Sequence, residues 1–160
     1  MTNVIEFIQE RIATGSGELH DSVNIYIDGR ALTAIMREIE SEMAKREGHP
    51  DLAGGYSPFM SSQGARDHYL GRHSQKWGQS KCKTALLECE CGCPGCWPLL
   101  CKIEIGNDEV KWTEFEQPHR GPDSAASFWD YSFFGGFTFS KDQYLGALAA
   151  LGGRAAQPNR

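Results

Sequence analysis

The sequence predicts an α+β fold: a mostly antiparallel sheet of about five or six strands with two helices packed on one face and a long central loop. Three observations support this class. The segment SVNIYID and the stretch from TALLECEC to VKWTEFE alternate apolar and polar residues, as half-buried strands do. Residues 30 to 47 and 141 to 151 carry apolar residues at helical spacing. Together these elements predict an antiparallel sheet with two helices packed on it.

The chain opens with a predicted β-hairpin of two strands, residues 4 to 12 and 22 to 28, joined at Gly15, Ser16 and Gly17. A helix of about 16 residues follows. Its apolar stripe predicts packing against the sheet and consists of Leu32, Ile35, Met36, Ile39 and Met43. The charged side chains of this helix, Glu40 among them, are expected on the opposite face, towards solvent.

Periodicity disappears between residues 48 and 80, where glycine, proline, serine and glutamine accumulate. A connection of this length inside a compact domain predicts a binding loop or a flexible flap. The next segments predict a three-stranded antiparallel meander with turns at GCPG and GNDE. Pro98 lies within its second strand and predicts an edge position or a bulge, because proline cannot donate to the ladder.

The segment GFTFS predicts one further short strand, and the last helix follows it. Ser140 and Gln143 form a capping-box pattern at the start of that helix. The helix is expected to stop at Gly152 and Gly153. The sequence thus predicts one α+β domain over residues 1–152 and a disordered tail over residues 153–160.

Charge and hydropathy restrict the compartment and the partners. The formal net charge is −5, which argues against a surface devoted to nucleic acid. The N-terminal stretch MTNVIEFIQERI lacks the basic n-region of a signal peptide. No apolar run reaches the roughly 18 residues of a spanning helix, so no membrane association is expected. These features predict a cytoplasmic protein, whose cysteines are thiols or metal ligands in a reducing environment.

A cysteine cluster is the most informative motif. All six cysteines lie between residues 82 and 101, and Cys89, Cys91, Cys93 and Cys96 follow the spacing C-x-C-x-C-x-x-C around the turn GCPG. Cys89 and Cys91 are two apart on a predicted strand, so their side chains share a face. Cys96 lies just across the turn. Since zinc takes four ligands tetrahedrally with Zn–S near 2.3 Å, the hairpin predicts a structural zinc site.

The fourth zinc ligand has two candidates. It is either Cys93 or His119, the latter placed just after the meander in FEQPHR. Cys82 and Cys101 are weaker candidates, because Cys101 continues an apolar alternation and buried free cysteine is common. An iron–sulfur cluster, a redox pair and disulfides are the alternative uses of the cluster.

A basic loop is predicted over residues 61–83, with Arg66, Arg72, Lys76, Lys81 and Lys83. With its aromatic residues it fits contacts to phosphate or single strands, whereas the alternative is a solvated loop closing over the sheet. An enzyme is the rival hypothesis for the whole chain. It would be either a thiol redox protein using Cys93 and Cys96, or a hydrolase or transferase using the basic loop. The position of the Cys93/Cys96 pair in a hairpin turn, instead of at a helix N-terminus, argues against redox chemistry.

The segments IYIDGRAL, EGHPDLAGGY, CECGCPGCWPLL and FEQPHR resemble a group of uncharacterised bacterial proteins that share a C-x-C-G-x-x-G-C-W-P segment. The resemblance covers most of residues 23 to 145. It implies a bacterial cytosolic protein and carries no activity with it. Cys93 and Cys101 are additional to the cysteines of that group, which keeps His119 among the candidate ligands.

The absence of a recognisable catalytic motif favours a binding protein over an enzyme. We therefore expect a small acidic binding or regulatory protein, of the immunity type or associated with antiphage defence, that engages a protein partner. Its cysteine hairpin is expected to be stabilised by a structural zinc.

Overall fold

The computed structural model describes residues 1–13, 17–60, 64–72, 82–91 and 95–155. Within these ranges the chain forms eight β-strands and three α-helices, which confirms the α+β class and shows that the predicted counts were too low. The strands are β1 (Ile5–Ala13), β2 (Leu19–Ile27), β3 (Arg30–Ala31), β4 (Tyr56–Met60), β5 (Thr84–Cys89), β6 (Leu99–Ile105), β7 (Glu109–Glu116) and β8 (Phe137–Ser140). The helices are α1 (Leu32–Arg46), α2 (Ala65–Tyr69) and α3 (Lys141–Ala155), with 3₁₀ turns at Pro50–Leu52 and Pro118–Arg120.

The strands form one sheet in the order β1-β2-β4-β5-β6-β7-β8, with β3 paired to β2. Neighbouring strands in this order run antiparallel. The two ends of the sheet approach each other, because Asn3, just ahead of β1, forms a parallel bridge with Phe139 of β8. The Asn3 amide donates to the Thr138 carbonyl at 2.6 Å. The sheet therefore curls towards a closed form, which shields part of its edge backbone.

The first two strands confirm the predicted hairpin. They pair from Ile5 opposite Ile27 to Ala13 opposite Leu19. Val23, Ile25 and Ile27 are buried, while the residues between them are half-buried. The alternation of apolar and polar residues thus predicted both the strand and the face of the strand that is buried.

Helix α1 buries the predicted stripe but also buries Glu40. Leu32, Met36 and Met43 belong to the core, with Ile35 and Ile39 packed against it. Glu40 is fully buried, contrary to the expectation that it faces solvent. Its carboxylate accepts hydrogen bonds from the hydroxyls of Tyr56 at 2.6 Å and Tyr131 at 2.5 Å, and from the Gly54 amide at 2.9 Å. Tertiary donors therefore hold this carboxylate inside the protein.

The predicted loop from residue 48 to 80 contains regular structure in its described part, so that expectation was wrong there. Strand β4 lies in the middle of the sheet, between β2 and β5. Helix α2 follows it and buries Tyr69. Sequence periodicity missed β4 because this five-residue strand contains Pro58, which cannot donate to a ladder.

The meander of β5, β6 and β7 is confirmed, as are β8 and the last helix. Pro98 lies just before β6, so it does not interrupt that strand. The Ser140 hydroxyl accepts from the Gln143 amide at 3.4 Å, as a capping residue does. Helix α3 continues to Ala155, past the predicted stop at Gly152, because its Tyr144, Leu148 and Leu151 are held in the core.

Buried residues from every layer form the core around Trp112, which contacts the rings of Phe139 and Tyr144. The Trp112 indole donates to the Tyr144 hydroxyl at 3.1 Å. None of the helices in the described part of the chain combines the length and the apolar content needed to cross a bilayer. Residues 156–160, most of the predicted tail, lie outside the described residues.

Candidate metal centre

The connection between β5 and β6 brings three cysteines together. Cys89 ends β5, Cys91 follows in the turn, and Cys96 lies on the returning side ahead of β6. The three sulfur atoms all lie within 4.8 Å of one another. Cys91 and Cys96 are exposed, and Cys89 is half-buried. The convergence comes from the turn and not from a shared strand face, since β5 stops at Cys89.

The surroundings of the sulfur atoms favour a bound cation. The Cys91 amide donates to the Cys89 sulfur at 3.5 Å, and a hydrogen bond of this kind stabilises a thiolate. Hydrogen bonds with Cys89 and Cys91, together with their charge, raise the pKa of Cys96 to about 12. Without a cation the three sulfurs therefore cannot all be thiolates, whereas a divalent ion between them would replace the proton of Cys96 and offset the mutual repulsion of the thiolates.

The spacing of the sulfur atoms fits the size of such an ion. Sulfur ligands at about 2.3 Å from a tetrahedral zinc lie roughly 3.8 Å apart. The sulfur atoms of Cys89, Cys91 and Cys96 are at most 4.8 Å apart, which exceeds that value by about 1 Å at most. Small rotations of the side chains would remove this difference. Three residues of this chain can therefore hold a metal ion that prefers thiolates.

The remaining cysteines differ from this triad. Cys93 lies outside the described residues. Cys82 and Cys101 are described but do not belong to the cluster. Cys101 is fully buried on β6, and this burial raises its pKa well above the ordinary thiol value. It is a neutral core residue, as its apolar neighbours predicted. The structure contains no disulfide among the five cysteines that it describes.

His119 lies beside the hairpin but outside the group of converging sulfurs. Its Nε2 is 2.8 Å from the carbonyl oxygen of Gly95, the residue before Cys96. Because a carbonyl only accepts, Nε2 is the donor in this contact, and in the neutral ring this tautomer leaves the lone pair on Nδ1. The ring also stacks on Trp97, with centroids 6.1 Å apart and planes 9° from parallel. His119 thus supports the turn from outside the triad.

Gln117 forms hydrogen bonds that hold the returning side of the hairpin in place. The sequence did not predict this role. Its side-chain nitrogen donates to the Pro98 carbonyl at 3.0 Å and to the Tyr56 hydroxyl at 3.3 Å. Its side-chain oxygen accepts from the His119 amide at 3.1 Å. Gln117 is 1% exposed, so these contacts are shielded from water. One side-chain amide therefore links the hairpin to the backbone of His119.

Trp97 forms the second support beneath the hairpin. The Arg120 guanidinium lies 4.9 Å from the centre of its ring, and the Trp129 ring meets it edge-on at 5.7 Å. Arg120 is in turn fixed by Glu47, at 3.0 Å, and the Trp129 indole donates to the same carboxylate at 2.7 Å. These contacts connect the cysteine hairpin to the end of α1.

The predicted basic loop is only partly described. Lys76 and Lys81 lie outside the described residues, whereas Arg66 and Arg72 lie within them. Lys83 is buried and forms an ion pair with Glu116 at 2.8 Å, so it does not belong to a solvent-facing basic surface. The expectation that all five cations share one loop is therefore wrong for Lys83. His68 of the same segment stacks on Phe59 and contacts the Ala85 carbonyl at 2.6 Å.

Comparisons of the chain with protein-family models, with curated proteins and with solved structures give no match. Function is therefore inferred from the cysteine hairpin and its surroundings.

Proposed function

We propose that this chain is a small acidic binding or regulatory protein that engages a protein partner, with a cysteine hairpin stabilised by a structural zinc ion. One observation supports the proposed zinc ion: the sulfur atoms of Cys89, Cys91 and Cys96 lie within 4.8 Å of one another, at the surface end of two strands. Clustered thiolates select zinc, copper(I) or iron–sulfur clusters over hard cations. Zinc is preferred here because it has no redox demand and because closed sulfur-rich sites stabilise small hairpins.

The fourth zinc ligand in this proposal is Cys93 or His119. Cys93 is close in sequence, in the turn between Cys91 and Cys96. His119 has its Nε2 proton donated to the Gly95 carbonyl, and histidine ligands in metal sites commonly make such a bond with the nitrogen that is not coordinated. Coordination through Nδ1 would require the turn and His119 to move closer together, because the ring lies outside the group of converging sulfurs.

Binding is favoured over catalysis by the chemistry of the hairpin. A zinc ion with four protein ligands has no open position for a substrate or water. Cys96 lies just ahead of β6 and not at a helix N-terminus, where the helix dipole lowers the pKa of a redox thiol, so a redox role for the Cys93/Cys96 pair is not favoured. A net charge of −5 suits a partner with a basic surface. An immunity-type or antiphage-associated factor in the cytoplasm belongs to this class of protein.

The zinc proposal is tested on full-length protein purified without a histidine tag under anaerobic conditions. We expect elemental analysis to find about one zinc per chain. Cys91→Ser should lose most of this metal, whereas Cys82→Ser, which changes a described cysteine outside the cluster, should retain it. Wild-type protein without stoichiometric zinc, or equal metal in both variants, would contradict the proposal.

The fourth ligand is identified by replacing the zinc with cobalt(II). The intensity of the sulfur-to-cobalt charge-transfer band increases with the number of thiolate ligands. Loss of intensity in Cys93→Ser, with no change in His119→Gln, assigns the position to Cys93. The reverse, in which the His119→Gln variant has a changed ligand-field spectrum and Cys93→Ser does not, assigns it to His119.

A further inference from the structure

A cleft of about 410 Å³ opens between the second half of β7 and the irregular segment 121–135. Its size lies in the range of ligand pockets, roughly 300 to 1,000 Å³. The cysteines of the metal centre do not line it. The cleft therefore offers a second place at which a binding partner can contact the protein.

A β-bulge in β7 shapes one wall of the cleft. Leu100 of β6 pairs with Glu116, and Lys102 pairs with Thr113, so β7 carries one extra residue between these pairs. Glu114, in the bulge, has a φ of +52°, which residues other than glycine rarely adopt. Bulges of this kind redirect side chains near functional sites. Here the bulged residues all line the cleft.

Aromatic side chains line the cleft on both sides. Trp129 and Tyr131 of the irregular segment are almost completely buried, as is Phe115 of β7. Phe128 also lines the cleft but is 50% exposed, so part of its ring faces solvent. Of these rings, Phe128 therefore offers the exposed surface on which an organic cation could stack.

The charges at the cleft leave an excess of carboxylate. Its two cations are already neutralised, since Lys83 pairs with Glu116 at 2.8 Å and Arg120 pairs with Glu47 at 3.0 Å. Asp130 has no cation within 4.0 Å among the residues that the structure describes, and its carboxylate accepts from the Ser132 amide at 2.9 Å.

Glu114 adds to this excess, because its nearest cation is a solvent-exposed lysine, Lys102, at 3.7 Å. Hydrogen bonds from Ser132 lower the pKa of Asp130, so its charge persists through the neutral range. A ligand matched to this cleft is therefore a cation with a flat or apolar body.

We propose that the cleft binds the side chain of an arginine presented by the protein partner. This inference rests on the proposed function as a protein-binding factor. A guanidinium is planar, stacks on aromatic rings and can donate two parallel hydrogen bonds to a carboxylate such as Asp130. The ammonium of lysine lacks this flat face. The overall charge of −5 adds long-range attraction for a basic partner.

The test is an NMR titration of the full-length, metal-loaded protein with N-acetyl-arginine N-methylamide. We expect shifts at the Ser132 amide and the Trp129 indole. The citrulline analogue, which has the same shape without the charge, should bind about two- to fivefold more weakly. Equal binding of the two analogues, or no shift at these groups, would overturn the proposal. Tighter binding of free arginine than of the blocked form would also overturn it, because the cleft would then be a small-molecule site.

Two matched variants test the contact. Asp130→Asn keeps an oxygen for the Ser132 amide and should weaken arginine binding about two- to fivefold. Asp123→Asn removes an exposed charge from the same irregular segment without altering the cleft lining, and should leave binding unchanged. Equal affinities of the two variants would rule out the assigned contact.

Measuring the metal content of each sample separates this inference from the zinc proposal. If the protein contains its full zinc content but does not bind arginine, only the proposal for the cleft is contradicted. Protein that lacks zinc but still binds arginine contradicts only the metal centre.

Discussion

Glu40 should be among the most sensitive positions of this protein, because three buried donors converge on its carboxylate. Glu40→Ala leaves the Tyr56 and Tyr131 hydroxyls and the Gly54 amide without this acceptor. An unsatisfied buried polar group costs about 1 to 3 kcal/mol, so the lower limit for three groups is about 3 kcal/mol. Removing a buried charge offsets part of this cost. We expect a net loss of about 3 kcal/mol in the free energy of unfolding at neutral pH.

The assay for Glu40 is equilibrium unfolding in urea, with two comparison variants. Glu40→Gln keeps an oxygen that accepts two hydrogen bonds, and should cost about 1 to 2 kcal/mol. Glu42→Ala removes an exposed glutamate of the same helix whose nearest cation, Lys45, is 3.9 Å away. Its effect should stay within about 0.5 kcal/mol. A Glu40→Ala effect as small as that of Glu42→Ala would refute the assigned role of the buried carboxylate.

The pH dependence of these variants tests the sign of the Glu40 effect. Burial raises the pKa of Glu40 above its ordinary value of 4.5, although the hydrogen bonds from Tyr131, Tyr56 and Gly54 oppose the rise. The folded state therefore binds this proton more tightly than the unfolded state. The part of the stability that comes from protonation of Glu40 is present in full below about pH 4.5 and is lost as pH rises through the folded pKa, whereas the hydrogen bonds to Tyr56, Tyr131 and Gly54 are a separate contribution. The advantage of wild type over Glu40→Gln should shrink with rising pH in this window, and an advantage that grows would show that the pKa is lowered.

Three further predictions concern the sheet, the buried ion pair and the metal. Gly136→Ala should lower the free energy of unfolding by about 3 kcal/mol or more, because φ is +85° and a Cβ would overlap the Trp112 carbonyl. Gly135→Ala, whose Cβ would enter open space, should be nearly neutral. Thermal unfolding compares the two variants. Lys83→Ala should lower the free energy of unfolding by about 3 kcal/mol, because it removes the cation paired with the nearly buried carboxylate of Glu116. Lys102→Ala, in which the lysine is more exposed, should cost about 0.5 kcal/mol or less in the same urea unfolding measurement. Chelation should lower the melting temperature of wild type but not of Cys91→Ser, and an equal drop in both would contradict metal-coupled stability.

The sequence correctly predicted the elements that depend on residues close to one another along the chain. The hairpin of β1 and β2 followed from the alternation around Ile25, and the start of α3 followed from Ser140. Strand β4 escaped detection because it is short, contains Pro58 and is held by partners on both sides, β2 and β5. Only the tertiary structure supplies those partners.

The same distinction applies to the candidate sites. The C-x-C-x-C-x-x-C spacing predicted the convergence of Cys89, Cys91 and Cys96, since a tight turn keeps nearby residues together. It did not reveal Gln117, because an amide in a polar stretch has no periodic pattern. Glu40 was assigned to the surface for a related reason: the tyrosines that accommodate its charge lie 16 and 91 residues away. The aromatic cleft likewise forms only when segment 121–135 folds against β7.

Two polar networks join these features into one unit. The Tyr56 hydroxyl donates to Glu40 and accepts from Gln117, and Gln117 holds the carbonyl of Pro98 on the returning side of the hairpin. Glu47 fixes Arg120 and Trp129, which pack on Trp97 next to Cys96. Helix α1 thus supports the cysteine hairpin at two points, and Gln117, Arg120 and Trp129 also line the cleft. Because these side chains contact both the hairpin and the cleft, we expect a metal ion bound at the hairpin to hold one wall of the cleft more firmly. Zinc binding and arginine binding should therefore strengthen each other through the contacts between them.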